Sequence, residues 1–428
     1  MANYIDVPDS TESLHNIGEW IMQYDARQNA FLNALVNRIG RVLVTSKMWN
    51  NPWTPFKKGM LEMGETVEEI FVNLGKVYSF DPADAENTLF KREIPDVRAA
   101  FHTMNYQKLY PVTISNDQLR QAFLSWEGIT DLIAKIVDTL YTGMRYDEYI
   151  TMKYMICREA LNGGFYVEQI AGTDTADNLK KFIAKTREVS NDLEFLSTKY
   201  NKARVYNSTP KAEQYIIMDN AVESRVDVDV LAVAFNMDKS DFIGHLMKID
   251  HFDQHDKERL DMLFANDTAY TFFTSNELTT LGKIGAILLD KDWWMVFDNF
   301  EQFTQNYNGK GLYWQYFFHA WKTFSVSPYA NAVCFYGDTT SVTTVTVTPG
   351  TATMTAGTAM QMTATVAGTG LYDDAVVWSI SGQTASGTNI NKNNGLLYVA
   401  SDEPSDAEIV VTATAVNGVS GTGTITVA

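Results

Sequence analysis

A chain of 428 residues with 45% hydrophobic content is long enough to bury a sizeable core and to divide into two or three domains. Its net charge of -18, from 34 basic and 52 acidic residues, repels polyanions and argues against a DNA-reading role. Only two cysteines occur, which excludes a disulfide framework, and no run of ~18 apolar residues offers a membrane-spanning helix.

From the N-terminus, Met1–Ser10 lacks the basic start and apolar run of a signal peptide, so the chain is expected to stay where it is made. Phe31, Leu32, Leu35, Val36 and Ile39 recur at helical spacing, a stripe that either completes the chain's own core or clasps a neighbour. Between Lys57 and Thr113, two extended stretches, Thr66–Tyr78 and Val97–Ile114, flank the polar turn region Asp81–Thr88 and predict a long hairpin. Two strands alone are marginally stable in water, so this hairpin must lie against its own domain or an adjacent subunit.

Ser115 and Gln118 have the spacing of a capping box. From Ile129, the residues Leu132, Ile133, Ile136, Val137, Leu140, Tyr141 and Met144 form one helical stripe. The stripe runs on through Met152, Met155 and Ile156 to Ala160, where Asn162-Gly163-Gly164 supplies a stop, and Gly143 loosens its middle. Such a helix, on the order of 50 Å long, is a spine for a flat domain rather than a piece of a compact ball.

Composition shifts near Gly337. From Asp338 to Ala428 the only basic residue is Lys392, aromatic residues are few, and Thr, Val, Ala and Gly dominate, so a linker is expected at Asp338–Ser341. Beyond it, period-two alternation puts Val345 and Val347 on one face, then Met362, Ala364 and Val366, then Val376, Trp378 and Ile380. Further runs are Leu396–Val399 after Asn393-Asn394-Gly395, Ile409–Ala415 and Thr422–Val427. Short strands at this spacing over roughly 90 residues predict an immunoglobulin-like sandwich with Trp378 at its centre.

The phosphate-loop, dinucleotide, H-E-x-x-H and G-x-S-x-G patterns do not occur in the sequence. His251 and His255 have metal-like spacing that would put both imidazoles on one helical face beside Asp250 or Asp256. Without a third ligand or a base, a solvated acidic loop is the better reading. Acidic runs at Glu62–Glu69 and Asp219–Asp229 read as solvated faces, since 52 acidic residues make chance pairs common. The run Tyr313–Phe318 alternates like a buried strand, and Lys57 and Lys58 either approach a neighbour or sit in a solvated turn. Cys157 and Cys334 read as buried thiols in a reducing compartment. No catalytic, cofactor-binding or metal-ligating residue is assigned, and no enzyme activity is expected.

Two resemblances extend this reading. VTTVTVTP, TMTAGTAMQMTATV, AVVWSIS, NGLLYVA and a closing ITV, within Val342–Ala428, resemble the group 2 bacterial immunoglobulin-like domain, found on bacterial surface proteins and phage virions. FKKG at Phe56–Gly59, FKREIPDVRAAFH at Phe90–His102 and VDVDVLAVAFNM at Val226–Met237 resemble the major capsid proteins of the small, protein-primed podoviruses of Bacillus and related hosts. So do LLDKDWWMVFDN at Leu288–Asn299 and GLYWQYFFHAWKTFSVSPYANAV at Gly311–Val333.

The resemblance implies an α+β, Hong Kong 97-like phage capsid fold with peripheral and axial domains, followed by an all-β immunoglobulin-like sandwich. Its expected parts are an N-terminal arm (1–56), an extended hairpin loop (57–114), a spine helix region (115–164), an axial-type α+β region (165–300) and returning strands (301–337). A linker (338–341) and the sandwich (342–428) follow. It further implies a virion protein, assembled in the host cytoplasm, that forms pentamers and hexamers of an icosahedral or prolate shell and needs no cofactor. Implied partners are a scaffolding protein, a portal or connector, and enclosed double-stranded DNA that is not read by sequence, with a head fibre or the host surface as contacts of the outer sandwich and no membrane. The competing expectation is a bacterial surface or secreted carbohydrate-binding adhesin with the same module, against which the lack of a signal peptide counts.

Overall fold

The computed structural model describes residues 49–62, 64–75, 77, 95–115, 126–226 and 245–428, and among these residues four strands precede the long α-helix that starts at Trp126. They are β1 (Lys57–Met60), β2 (Val67–Val72), β3 (Val97–His102) and β4 (Tyr106–Ser115). β2 and β3 pair antiparallel from Val67 opposite His102 to Val72 opposite Val97, which is the root of the predicted hairpin. The turn region Asp81–Thr88 and the stripe Phe31–Ile39 lie outside the described residues.

The second predicted stretch, Val97–Ile114, is not one strand. It breaks between β3 and β4, where the Asn105 side chain donates to Phe324 O at 2.8 Å and accepts from Phe324 N at 2.9 Å. A side chain that supplies both halves of a ladder bond lets the backbone leave one sheet for another.

Helix α1 (Trp126–Leu161) has 36 residues, about 54 Å, and continues unbroken through Gly143. Of the expected capping box, Ser115 closes β4, and Gln118 lies outside the described residues. The predicted stop is where it was expected. Gly163 takes φ +70° and Gly164 N–H donates to Glu159 O at 2.7 Å, a bond that satisfies one of the last free carbonyls.

There follow β5 (Tyr166–Gln169), α2 (Ala176–Asp192), β6 (Gln214–Asp219), α3 (Asn220–Glu223), β7 (Leu246–Ile249), α4 (Lys257–Leu263), α5 (Ser275–Leu281) and β8 (Ile284–Asp290). β9 (Trp294–Asn308) and β10 (Tyr313–Val326) form a long antiparallel hairpin, and β11 (Ala332–Tyr336) returns. Two sheets result, with strand orders β1-β9-β10-β4 and β5-β11-β8-β6-β7. Every residue of β8 is buried: Ile287 and Leu289 face a core shared with Met152 and Ile156 of α1, while Ala286 and Leu288 face one shared with Phe182 and Val189 of α2. Cover on both faces explains why this strand shows no polar alternation.

These sheets cut across the expected spans. Of 57–114, only β2 and β3 make the hairpin among the described residues, while β1 and β4 join the four-stranded sheet. β9 starts before residue 301 yet pairs with β10 beyond it, and β11 is an inner strand of the five-stranded sheet. The chain changes sheets in the turn between β10 and β11.

The remaining strands are β12 (Ser341–Thr348), β13 (Thr351–Met354), β14 (Ala359–Gln361), β15 (Thr363–Thr369), β16 (Val376–Ser381), β17 (Asn389–Ile390), β18 (Leu396–Tyr398), β19 (Glu408–Ala415) and β20 (Ser420–Val427). Sheets of order β13-β20-β19-β16, β14-β18-β17 and β12-β15 enclose a separate core in which Trp378, Met362, Leu397, Ile409 and Ile425 are buried. Val345 and Val347 are buried together, and Val376 and Ile380 pack against the same core as Trp378, as the alternation predicts.

Candidate assembly site

Side chains alternate along β2 and β3, so the hairpin has two unlike faces. Glu68, Ile70, Val72, Val97, Ala99 and Phe101 point outward. Ile70, Val72, Val97 and Phe101 are 59%, 61%, 51% and 65% exposed, an apolar row of the kind that marks interaction surfaces. The inward face is held mainly by polar groups. Buried His102 has Nδ1 2.7 Å from Ser325 Oγ and Nε2 3.2 Å from Glu69 Oε2, and Ser327 donates to Glu69 Oε1 at 2.7 Å. Arg98 donates to Ala203 O, and Phe71 stacks on Tyr329 with ring centroids 5.4 Å apart.

The four-stranded sheet also has two faces. Leu140 and Met144 of α1 cover Phe318 and Ala320 on one of them. On the other, cross-strand rows read Gln107–Trp321–Phe300, Leu109–His319–Gln302, Pro111–Phe317–Thr304 and Thr113–Gln315–Asn306. These rows hold no Asp, Glu, Lys or Arg, in a chain of net charge -18. Phe300 and Trp321 lie ring against ring at 4.9 Å.

Between that sheet and α1 lies a nearly dry cluster of charges. Lys322 Nζ is 2.6 Å from Glu148 Oε2, 2.6 Å from Asp298 Oδ1 and 3.3 Å from Glu301 Oε1. Lys57 of β1 is 3.0 Å from Glu148 and 2.6 Å from Asp298, and Asn51 donates to Glu148 at 2.7 Å. Burial pushes the Glu148 and Asp298 carboxyls up, but the two ammonium groups outweigh it and hold both below their ordinary range. One residue before Glu148 on α1, buried Asp147 accepts from Arg259 at 2.6 and 2.9 Å and from the Tyr110 hydroxyl at 2.8 Å. Charge-assisted bonds with such short geometry fix the angles between helix and sheet.

Of the residues singled out by sequence, Lys57 and Lys58 neither reach outward nor sit in a solvated turn. They lie in β1, and Lys58 pairs with Asp292. His251 and His255 lie in a loop, not on a helical face. His251 Nδ1 is 3.3 Å from Asp219 Oδ2, whereas His255 is packed on Phe273 at 4.6 Å with Nε2 2.9 Å from Phe252 O. The loop is only partly solvated: Asp253 and Gln254 are exposed, but Phe252 is fully buried and burial pushes His255 down to about 4. Among the described residues, no three His, Cys, Asp or Glu side chains gather as metal ligands would.

The acidic runs have structural duties as well as solvated members. Glu69 belongs to the hairpin clasp, Asp219 caps α3 through Ala221 N at 2.8 Å, and Glu223 pairs with Lys248, while Asp227 and Asp229 lie outside the described residues. In the aromatic run, Trp314, Tyr316 and Phe318 are buried, but Tyr313, Gln315 and Phe317 are half-exposed, so only one face of the strand is core. Cys157 and Cys334 are free and fully buried; burial pushes the Cys157 thiol up to about 12 and the Cys334 thiol up as well. Sequence reasoning missed Glu148, Asp298 and Lys322. The signal available was a lysine at the buried parity of an otherwise aromatic strand.

Similar proteins agree with this architecture. A family profile for the Phi29-like phage major capsid protein matches residues 7–336. The major capsid protein of Bacillus phage PZA is 34% identical over 411 residues, covering 95% of this chain and 85% of that protein. That of Bacillus phage B103 is 35% identical over 408 residues, covering 94% and 84%. Among solved structures, the capsid of Staphylococcus phage Andhra superposes with a TM-score of 0.53 at 14% identity, covering 69% of this chain and 86% of that one. This last likeness concerns the fold alone, a mixed α+β phage capsid fold. The matches do not favour the adhesin alternative. With a profile spanning both sheets and the spine helix, and relatives aligned over nearly the whole length, the chain belongs to the Phi29-like phage major capsid proteins, virion components that assemble into the shell.

Proposed function

We propose that this subunit closes its shell by laying the outward face of β2 and β3 on the uncharged sheet face of an adjacent copy, within rings of five and six. The carrying observation is the exposed row Ile70, Val72, Val97 and Phe101 on a ribbon whose other face is already engaged. Removing apolar surface from water stabilises such a contact by about 25 cal/mol per Å². The sheet rows carry no charge whose desolvation would offset that gain. A closed shell repeats the contact many times, so each can be weak.

The wider reading is a Hong Kong 97-type subunit, with an arm at 1–56, a spine region at 115–164 and an outer immunoglobulin-like domain at 342–428. The strand count and the core around Trp378 support the outer domain. Family membership supports a scaffolding protein, a portal and enclosed double-stranded DNA as partners. The net charge of -18 suits a wall along which packaged DNA slides without being held, while the outer domain meets neighbouring capsomers, a head fibre or the host surface. No catalytic step belongs to this reading.

The test is Ile70→Glu and Phe101→Glu in the full chain, expressed with its scaffolding partner. Both variants should give folded subunits by circular dichroism but few closed particles by sedimentation and negative-stain microscopy. Wild-type yields of shells would refute the docking.

A further inference from the structure

The C-terminal strands are joined to the shell part by more than the covalent connection through Asp338–Thr340. Between β15 and β16, residues 370–375 leave their own sheets; Tyr372 stays packed on the core around Trp378, while Leu371, Asp373 and Asp374 lie on the other body. Leu371 is 2% exposed, and it packs in the core that holds Phe165, Trp293 and Tyr336, not in the core around Trp378. Gly370 has φ +68° and a Cβ there would stand 2.5 Å from Thr339 O, so the chain can turn inward only at a glycine. The Thr340 hydroxyl donates to Leu371 O.

Two carboxylates follow. Asp373 Oδ2 accepts from Arg204 Nη2 at 2.5 Å, with both side chains largely buried. Burial pushes the Asp373 carboxyl above its ordinary range against the pull of Arg204, which is its counter-charge in this poorly hydrated site. Asp374 lies over Gly163, two residues past the end of α1; a Cβ on Gly163 would stand 2.8 Å from Asp374 Cγ. The loop thus touches the segment just past the spine helix, the segment after α2 and β11 of the five-stranded sheet.

We infer that residues 370–375 are a latch that holds the C-terminal unit at one orientation on the end of the spine helix, with the Arg204–Asp373 pair as its releasable element. A short connection alone permits rotation about its own bonds. Three contacts from separate elements do not. The unit has its own buried core, so the latch can open without the unit unfolding. Losing Arg204 leaves a desolvated carboxylate without a counter-charge, which drives the loop back into water.

The experiment uses the full-length chain as Arg204→Ala, as Asp373→Asn, and as the exchanged pair Arg204→Asp with Asp373→Arg. Position 204 has φ +53°, which aspartate tolerates. Amide hydrogen exchange is followed in peptides covering 336–341 and 369–375. Each single change should speed exchange there by roughly tenfold, the effect of losing a charge-assisted bond, while peptides of β19 and β20 stay at the wild-type rate. The exchanged pair should return most of the protection. If Arg204→Ala fails to fold, Asp373→Asn, which keeps the side-chain shape, carries the test. Unchanged exchange in the single variants, or an exchanged pair as open as they are, overturns the latch.

Discussion

Lys322 places its ammonium 2.6 Å from Glu148 Oε2, tying an inner strand of the four-stranded sheet to the spine helix where the two side chains are 1% and 3% exposed. Lys322 stands on the same face of β10 as Trp314, Tyr316 and Phe318. The sheet is therefore fastened to the helix by aromatic packing at one end and by charge at the other.

Removing one member of this cluster should be costly. With Lys322→Met, Glu148 and Asp298 share Lys57 as their one remaining cation in the cluster, and an under-compensated buried charge costs about 3–5 kcal/mol. Urea unfolding of the full chain reads this loss, which should vary little with salt because the site is screened from ions. Adding Glu148→Gln to Lys322→Met should recover part of the stability. A loss under ~1 kcal/mol would mean that the pair behaves as an exposed surface bridge.

Acid should weaken the fold through His255. Burial, with the Lys153 and Arg158 charges nearby, lowers it from 6.5 to about 4 against the opposing pull of Asp250 and the Phe252 carbonyl. Below pH 6.5 the unfolded chain binds a proton that the folded one refuses, so stability falls as pH drops through this window and levels off near 4. The limit is ~3 kcal/mol at 1.36 kcal/mol per pH unit. Glu148 and Asp298, both held below their ordinary range, act in the same direction but only at lower pH. His255→Gln should flatten the slope between pH ~6.5 and ~4 in urea midpoints; an unchanged slope would show the imidazole to be open to water.

What the sequence disclosed follows from how far each interaction reaches along the chain. The stripe from Leu140 to Ala160 and the alternation around Trp378 depend on neighbours a few residues apart, and both elements are where the periods place them. The buried charges on α1 depend on distant partners: Asp147 on Arg259, Glu148 on Lys322, Lys153 on Asp250. No local pattern marks them. β2 was ambiguous for another reason, since period two separates its faces but not which one is inward. Glu69 turns inward because His102 and Ser327 wait for it, leaving Ile70 outside, the reverse of a hydrophobic-in reading. The break at Asn105 and the insertion of Leu371 likewise require the three-dimensional neighbour before they can be seen.

Both thiols should be inert in the folded protein. Cys157 and Cys334 are fully buried with raised pKa values, and it is the exposed thiolate that reacts. Alkylation followed by mass spectrometry should find no label on native subunits and label on both cysteines after denaturation. Rapid labelling of either one without denaturant would show that the spine core opens.

The C-terminal core offers a contrast between two glycines of like backbone and unlike surroundings. Gly395 has φ +72° and Gly418 has φ +88°. A Cβ on Gly395 would stand 2.7 Å from Trp378 Cε2 and 2.8 Å from Met362 O, whereas one on Gly418 meets nothing within 4 Å. Neither obstacle at Gly395 can retreat: Trp378 is locked in the core, and Met362 N–H is bonded to Gly395 O at 3.0 Å. Alanine at 418 should therefore cost only the left-handed backbone, about 1 kcal/mol, while alanine at 395 adds overpacking for a total of roughly 2–4 kcal/mol. Calorimetry of the full chain should show the melting of the C-terminal unit shifted further by Gly395→Ala than by Gly418→Ala. Equal shifts would mean that backbone strain accounts for both and that the turn beside Trp378 has room to spare.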